Sequence, residues 1–146
     1  MSQVTSATVK TASAPRKGKK YFTLEEAHRA LPLVKRIAAD IQMTQAQRLR
    51  LHAELSGGLA QLSSSQQDLL QSEFEKATQR LEELVDEMTR VGVELKDPSR
   101  ALLDFPCLFE GREVLLCWKA DEPTITHWHE VEGGFAGRKS VALLHA

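Results

Sequence analysis

Cysteine is scarce in this chain, with Cys107 and Cys117 as the only two among its 146 residues. Two cysteines cannot hold together a fold of this length, so a disulfide-dependent scaffold is excluded. A bridge between them, across two strands, is disfavoured because the chain also lacks the features of a secreted protein. We therefore expect both thiols to be free.

Long apolar runs are missing as well. No stretch of about 18 apolar residues occurs, so the sequence offers no membrane span, and its first residues lack the apolar core of a secretory signal. We expect a cytoplasmic protein without membrane contact. Net charge is also small: 19 basic and 20 acidic residues give −1, which favours neither nucleic acid nor a strongly charged partner.

The charge is nevertheless unevenly placed. Residues 1–20 contain five lysines or arginines, no acidic residue and few large apolar side chains. Such a segment cannot offset its ordering entropy by burial, so we predict a disordered basic tail over 1–20 and a single domain over 21–146. Any nucleic-acid contact is expected through this tail. Resemblance to an organellar transit peptide is weak, because amphipathic patterning is slight.

Two helices are predicted before residue 92. Thr23 and Glu26 form a Thr-x-x-Glu capping box, which indicates a helix start. Pro32 removes a backbone donor and clashes with the preceding turn, so the pattern predicts a short helix to about Arg29 and a long one from Pro32 to about Leu55.

The next helix is the strongest structural signal. Ser65 and Asp68 offer a start after a Gly/Ser-rich loop at 56–65, and Gly92 is placed to end the helix in a left-handed cap. Apolar residues between these ends step by four and three: Leu70, Phe74, Ala77, Leu81, Leu84, Met88 and Val91. Residues 21–92 are therefore predicted to form an antiparallel, coiled-coil-like helical hairpin.

From Val93 the apolar period shortens toward two. Strands are predicted at 101–109, 113–119 and 124–131, separated by turns at 110–112 and 121–123, with another turn at Asp97-Pro98. Residues 93–146 would thus form a small antiparallel β-meander followed by a C-terminal loop. The predicted fold class is α+β, with the hairpin packed against the meander.

Residues 104–138 concentrate polar side chains of ligand type together with both tryptophans. The candidate ligand-binding residues are Asp104, Cys117, Trp118, Glu122, Trp128, His129, Glu130 and Arg138. Asp104 and Arg138 are expected to form a buried or half-buried ion pair, which would lock the C-terminal loop or hold an anionic ligand. In the alternative interpretation, Cys117 and the tryptophans fill the interface between sheet and helices.

A metal site depends on the register of two strands. His127 and His129 are two residues apart and share one face of a strand. A four-residue turn at 120–123 would pair Cys117 with Thr126 and put it on the Trp128 face, whereas a slip of one residue would place Cys117 with the histidines. Sequence alone leaves both registers open.

In the second register, three or four ligands would suit zinc or iron. They are Cys117, His127 and His129, completed by Asp104, Glu122 or Glu130. No Cys-x-x-Cys or His-Glu-x-x-His spacing is present, and no nucleophile, oxyanion donors or phosphate loop can be identified. Whether the protein is an enzyme therefore stays open.

Three functions remain. The first is a non-catalytic module that binds a ligand or partner at the polar and aromatic face. The second is a zinc- or iron-dependent enzyme or sensor on the same residues. The third is a structural protein whose hairpin associates with itself or with another protein through leftover apolar surface.

A series of short motifs punctuates the second half of the chain. They are Gly92-Val93, Asp104-Phe105-Pro106, Gly111-Arg112, Leu116-Cys117-Trp118, Trp128-His129-Glu130 and Gly134-Phe135-Ala136-Gly137-Arg138. With these motifs the chain resembles the uncharacterised bacterial domain-of-unknown-function family DUF2203, from Phe22 to about Val141. The resemblance implies a helical N-terminal half, favours His129 over His127, and implies no established activity. The family pattern has glycine where this chain has Ala101, so a glycine-dependent turn is not expected there.

Overall fold

The computed structural model describes residues 14–57 and 61–145 of the chain. Two helices are followed by a five-stranded antiparallel sheet in the order β1-β2-β3-β4-β5, which confirms the predicted α+β fold. The elements are α1 (Leu24–Gly57), α2 (Ser64–Val91), β1 (Glu94–Asp97), β2 (Leu102–Phe109), β3 (Arg112–Lys119), β4 (His127–Glu130) and β5 (Lys139–Ser140), with 3₁₀ turns at Phe135–Gly137 and Val141–His145.

Helix α1 begins at the predicted capping box but is not interrupted by proline. The Thr23 hydroxyl accepts from the Glu26 N–H at 3.0 Å, and the Glu26 carboxylate accepts from the Thr23 N–H at 2.9 Å. The predicted break at Pro32 is wrong, because α1 continues through it. Pro32 is exposed, and the buried neighbours Leu31 and Val34 hold the helix against the core on both sides of it. Each contributes about 1.5–3 kcal/mol by burial, enough to offset a proline cost of about 3 kcal/mol.

Helix α2 starts two residues earlier than expected. Its N-cap is Ser63, which forms a capping box with Gln66, so the predicted start at Ser65 and Asp68 is wrong. The glutamine supplies the side-chain acceptor that a glutamate supplies in α1. At the other end, Gly92 adopts φ 102° and closes the helix as predicted. Of the predicted loop at 56–65, residues 58–60 lie outside the described part of the chain.

The sheet contains two strands that the sequence pattern did not indicate. Strand β1 is only four residues long and β5 only two, too short to show alternation. The predicted third strand, 124–131, shrinks to His127–Glu130. The turn between β2 and β3 is tight as expected, since Phe109 pairs with Arg112 and both intervening residues have positive φ.

The hydrophobic core lies between one sheet face and the helices. The sheet contributes Leu103, Phe105, Val114, Leu116, Trp118 and Trp128; the helices contribute Val34, Ile37 and Ile41 from α1 and Leu84 and Met88 from α2. Cys107 belongs to this core face, whereas Cys117 pairs with Asp104 on the opposite face. Both cysteines are free, so the expectation of no disulfide is confirmed.

None of the helices in the described residues is both long and apolar enough to cross a membrane. The segment predicted as a tail falls largely outside the described residues, but its positions 14–20 contact the sheet. Lys19 reaches Glu113 of β3 and Glu94 of β1, at 2.6 and 3.2 Å respectively.

Candidate metal centre

The sheet face turned away from the helices carries a buried polar cluster. Strand register explains its composition, since Cys117 pairs with Asp104 on β2 and with His127 on β4. Directly paired residues of an antiparallel sheet share a face, so all three side chains lie on this one, and His129, two residues along β4, joins them. The structure therefore has the second of the two registers considered above.

Three side chains of this face converge to a single point. Asp104, Cys117 and His129 are all buried, and each offers one ligand atom such that these atoms lie within 4.8 Å of one another. The Asp104 Oδ1 to His129 Nε2 separation is 3.0 Å. One oxygen, one sulfur and one nitrogen donor are thus gathered among buried side chains.

The orientation of the His129 ring follows from its second nitrogen. Nδ1 lies 2.7 Å from the Glu130 carbonyl oxygen, which can only accept, so Nδ1 carries a proton and donates it. Nε2 is thereby left to face Asp104 and Cys117. Metal-bound histidines almost always donate their other ring N–H to a carbonyl or carboxylate, which fixes the tautomer and the ring plane. The Glu130 carbonyl provides that support.

Without a metal, the same contacts favour a charged imidazole. Burial acts most strongly and lowers the pKa of His129, but hydrogen bonds to Asp104, Cys117 and the Glu130 carbonyl outweigh it and raise this pKa from 6.5 to about 10. A positive ring beside a carboxylate neutralises the charge that burial would otherwise make costly. A divalent cation would replace the Nε2 proton and serve the same electrostatic purpose.

The distances between the three ligand atoms suit a tetrahedrally coordinated ion after a small adjustment. Zinc bonds of about 2.0 Å to nitrogen or oxygen and 2.3 Å to sulfur place neighbouring ligand atoms about 3.3–3.8 Å apart. The Asp104–His129 separation of 3.0 Å is close to that range, and the widest separation in the group is at most 4.8 Å. The ligands would therefore shift by no more than about 1 Å, the scale of a side-chain rotation.

A cavity of about 260 Å³ borders the cluster. Its polar lining comes from Lys96 and the three cluster residues, and its apolar lining from Leu102, Leu115, Val131 and Phe135. Val131, Gly134 and Phe135, which follow β4, line one part of it. Three protein ligands beside a cavity form the arrangement in which a fourth coordination position is left to water or to a small molecule.

The predicted ion pair between Asp104 and Arg138 is wrong. Arg138 instead holds Glu122, with Nη2 2.7 Å from both carboxylate oxygens. Glu122 lies in the β3–β4 connection, where its carboxylate also accepts from the Lys119 N–H at 2.8 Å. This pair ties the C-terminal loop to the end of β3, which is the locking role expected of Arg138, with a different partner.

Glu130 and His127 also lie outside the cluster. Glu130 faces the other side of β4 and forms a bidentate pair with Arg112 at 2.8–2.9 Å, which lowers the pKa of the Glu130 carboxyl. His127 shares the face of His129 but is partly exposed, and its Nδ1 lies 2.8 Å from the Thr126 hydroxyl. Among the described residues, the group that could hold a metal ion consists of Asp104, Cys117 and His129, so Asp104 takes the place predicted for His127.

Both tryptophans belong to the core rather than to the cluster. The Trp118 indole N–H donates to the Glu122 carbonyl at 2.8 Å, and that of Trp128 donates to the Ser140 carbonyl at 3.1 Å. Each ring is buried against the helices and anchors a turn or strand at its edge. They support the sheet that carries the cluster.

A second buried carboxylate lies on the same sheet face and was missed in the sequence. Glu113 accepts from the Lys19 ammonium at 2.6 Å and from the Tyr21 hydroxyl at 2.9 Å, while Arg16 lies 3.4 Å away. Burial alone would raise the pKa of Glu113, yet these donors lower it. The sequence did contain a signal for Glu113. Residues 113, 115 and 117 of one strand share a face, so Glu113 lies on the same face as Cys117.

Lys96 was missed for a different reason. It lies on β1, whose alternation spans only four residues. Without that strand, nothing in the sequence connects Lys96 with Asp104 on the neighbouring β2.

The family model described as "Uncharacterized conserved protein (DUF2203)" matches residues 20–141. Comparison with curated proteins and with solved structures finds no significant match. The matched segment contains both helices, the whole sheet and all three residues of the cluster.

Proposed function

This chain belongs to the DUF2203 family of uncharacterised conserved proteins, and we propose that it binds one divalent transition-metal ion through Asp104, Cys117 and His129. The observation that carries this proposal is the convergence of their three buried ligand atoms within 4.8 Å. The orienting hydrogen bond from His129 Nδ1 to the Glu130 carbonyl supports it.

The donor set favours zinc, with iron as the next choice. A thiolate is a soft ligand that magnesium and calcium do not use, whereas zinc accepts sulfur, nitrogen and oxygen together. Because the described residues offer three protein ligands and a cavity lies beside them, the site is of the open kind that binds small molecules. We therefore propose a zinc-dependent binding module or enzyme rather than a protein in which zinc only stabilises the fold.

A purely structural ion pair is the competing explanation. It would need Asp104 and His129 as its charged partners, with Cys117 contributing only a hydrogen bond to His129, which a serine hydroxyl can also make. The two explanations differ in what a conservative change at Cys117 does. Under the metal proposal, Cys117→Ser removes a ligand; under the ion-pair explanation, it exchanges one small buried side chain for another.

The experiment is metal analysis of untagged full-length protein, purified without chelators and then equilibrated with excess zinc. Variants Cys117→Ser and His129→Ala are compared with two matched controls. Cys107→Ser alters the other cysteine, on the opposite sheet face, and His127→Ala alters the other histidine on β4. Thermal unfolding of each variant verifies that it is folded.

We expect near one equivalent of zinc or iron in the wild type and in both controls. We expect less than about a tenth of that in folded Cys117→Ser, since loss of a ligand lowers affinity by far more than the roughly 10–100-fold cost of losing an outer contact. Absence of metal from the zinc-equilibrated wild type, or equal metal in Cys117→Ser and Cys107→Ser, would overturn the proposal.

A second candidate function is self-association through the end of the hairpin. The core shared with the sheet includes α1 residues only up to Ile41 and fully buried α2 residues only from Leu84 onward. Beyond it, Met43, Leu49 and Leu69 are 70%, 50% and 60% exposed. Association with a second copy of the same hairpin would cover exposed apolar side chains of this kind.

Sedimentation equilibrium of the wild type and of a Met43→Glu, Leu69→Glu variant tests this candidate. Self-association predicts a concentration-dependent dimer that the double substitution dissociates, with metal content unchanged. A wild type that stays monomeric over the whole concentration range would exclude it.

A further inference from the structure

We infer that the cavity beside the metal centre takes a small carboxylate with a short apolar body, held at the free metal position and by Lys96. This inference rests on the proposed metal site and specifies what that site binds. It is carried by the size, charge and lining of the cavity.

The size of the cavity sets the first limit on the ligand that it can bind. The cavity of about 260 Å³ is smaller than the roughly 300–1,000 Å³ of pockets that hold drug-sized ligands. At about 30 Å³ for a water-sized group, it accommodates roughly eight or nine non-hydrogen atoms. A whole nucleotide or a large cofactor would not fit inside it.

Charge selects an anion. Among the described residues that line the cavity, Lys96 is the one lysine or arginine, and its ammonium lies 3.0 Å from a Glu94 carboxylate oxygen. Glu94 is shared with Lys19, at 3.2 Å, and Lys19 and Arg16 also face Glu113. Glu94 therefore divides its charge between the ammonium groups of Lys96 and Lys19, which leaves Lys96 only partly neutralised. A zinc ion held by Asp104, thiolate Cys117 and neutral His129 would be balanced in charge and would leave the positive charge of Lys96 beside it.

The remaining walls are apolar. Leu102, Leu115, Val131 and Phe135 surround the polar floor. Phe135 is held in place by the Arg138 guanidinium, 4.7 Å from its ring centroid, and Arg138 is fixed in turn by Glu122. Inorganic phosphate or sulfate would leave several charged oxygens against these walls without hydrogen bonds, which is costly. A monocarboxylate directs one charged end to the metal and Lys96 and its hydrocarbon to the apolar walls.

The test is calorimetric titration of zinc-loaded full-length protein with butyrate, and with butyramide, which has the same shape but no charge. Zinc content is measured on the same samples before and after each titration. Lys96→Met is the test variant. Lys35→Met is its control, since Lys35 lies on α1, donates to the Pro123 carbonyl and does not line the cavity.

We expect butyrate to bind one-to-one, butyramide and inorganic phosphate to bind at least about tenfold more weakly, and Lys96→Met to lose about tenfold in butyrate affinity with zinc retained. Lys35→Met should bind like the wild type. If zinc is held but butyrate binds no better than butyramide, or Lys96→Met binds butyrate normally, the carboxylate inference fails while the metal site stands. If zinc is not held at all, the metal proposal fails and this inference with it.

Discussion

His129 on β4 and Asp104 on β2 are hydrogen-bonded at 3.0 Å although β3 lies between their strands. Neighbouring strands are about 4.8 Å apart, so the two side chains span roughly twice that distance. They do so over Cys117, the β3 residue paired with Asp104. The sheet thus brings three potential ligands together from three strands without any local sequence motif.

The contact between His129 and Asp104 should make the stability of the metal-free protein depend on pH. The pKa of His129, raised from 6.5 to about 10, means that the folded state holds a proton more tightly than the unfolded state. The resulting stabilisation is fully present below pH 6.5 and is lost as the pH rises toward 10. Chemical denaturation of chelator-treated protein across this range measures it. In Asp104→Asn the decline should largely vanish; an unchanged decline would contradict the assignment.

Metal removal should destabilise the fold. An ion bound only by the native state adds about 2.7 kcal/mol when its free concentration is 100 times the dissociation constant. We expect zinc to raise the melting temperature of wild type and Cys107→Ser, and a chelator to reverse the rise. Cys117→Ser should melt at the same temperature with and without zinc. Scanning calorimetry provides the comparison, and a zinc-induced rise in Cys117→Ser equal to that of the wild type would contradict the site.

Glu113 should contribute stability that depends on pH in the opposite direction. Its lowered pKa means that the ionised carboxylate stabilises the fold at neutral pH and that this contribution is lost as the pH falls through the folded-state pKa. Glu113→Gln should cost about 1–3 kcal/mol at pH 7, because the buried Glu113 carboxylate, which accepts from Lys19 and Tyr21, is replaced by a neutral group. The difference from wild type should narrow below pH 4.5, the ordinary value for the group. A constant difference from pH 7 to 3 would show that charge is irrelevant there.

Ala101 should tolerate replacement by glycine unusually well. Its φ is +49°, a left-handed conformation that costs a non-glycine residue about 1–2 kcal/mol. Glycine relieves that strain but loses a buried methyl worth about 0.8 kcal/mol, so Ala101→Gly should change stability by less than about 1 kcal/mol. Ala38→Gly is the control. It lies within α1 and is equally buried, but has no strain to relieve, so it should cost about 2 kcal/mol. Equal losses of unfolding free energy in Ala101→Gly and Ala38→Gly, measured by urea denaturation, would contradict this prediction.

Much of the fold was predictable because its signals are local. The capping box at Thr23 and Glu26, the apolar seam of α2, the Gly92 cap and the tight turn after Phe109 each depend on neighbouring residues. The predicted break at Pro32 was wrong because the cost of a proline within a helix can be read from the local sequence, whereas the burial of α1 side chains against the sheet, which offsets this cost, cannot. The turn before β2 is a similar case: it has a left-handed conformation, which favours glycine, yet Ala101 adopts it.

The candidate site was only partly predictable. Parity along β4 placed His127 and His129 on one face, but a one-residue difference in register decides whether Cys117 joins them. The connection from Lys119 to His127, longer than a four-residue turn, sets that register. Arg138 could not be matched to its partner by charge alone, since Glu122 and Asp104 are both carboxylates, and only the path of the C-terminal loop selects between them.

X-ray absorption at the zinc edge of the zinc-loaded protein tests the central claim most directly, because it reports the identity of the atoms bound to the metal. We predict one sulfur neighbour at about 2.3 Å, with the remaining neighbours being nitrogen or oxygen at about 2.0–2.2 Å. The sulfur contribution should be absent from Cys117→Ser and unchanged in Cys107→Ser. A first shell of nitrogen and oxygen alone in the wild type would contradict zinc binding at Asp104, Cys117 and His129.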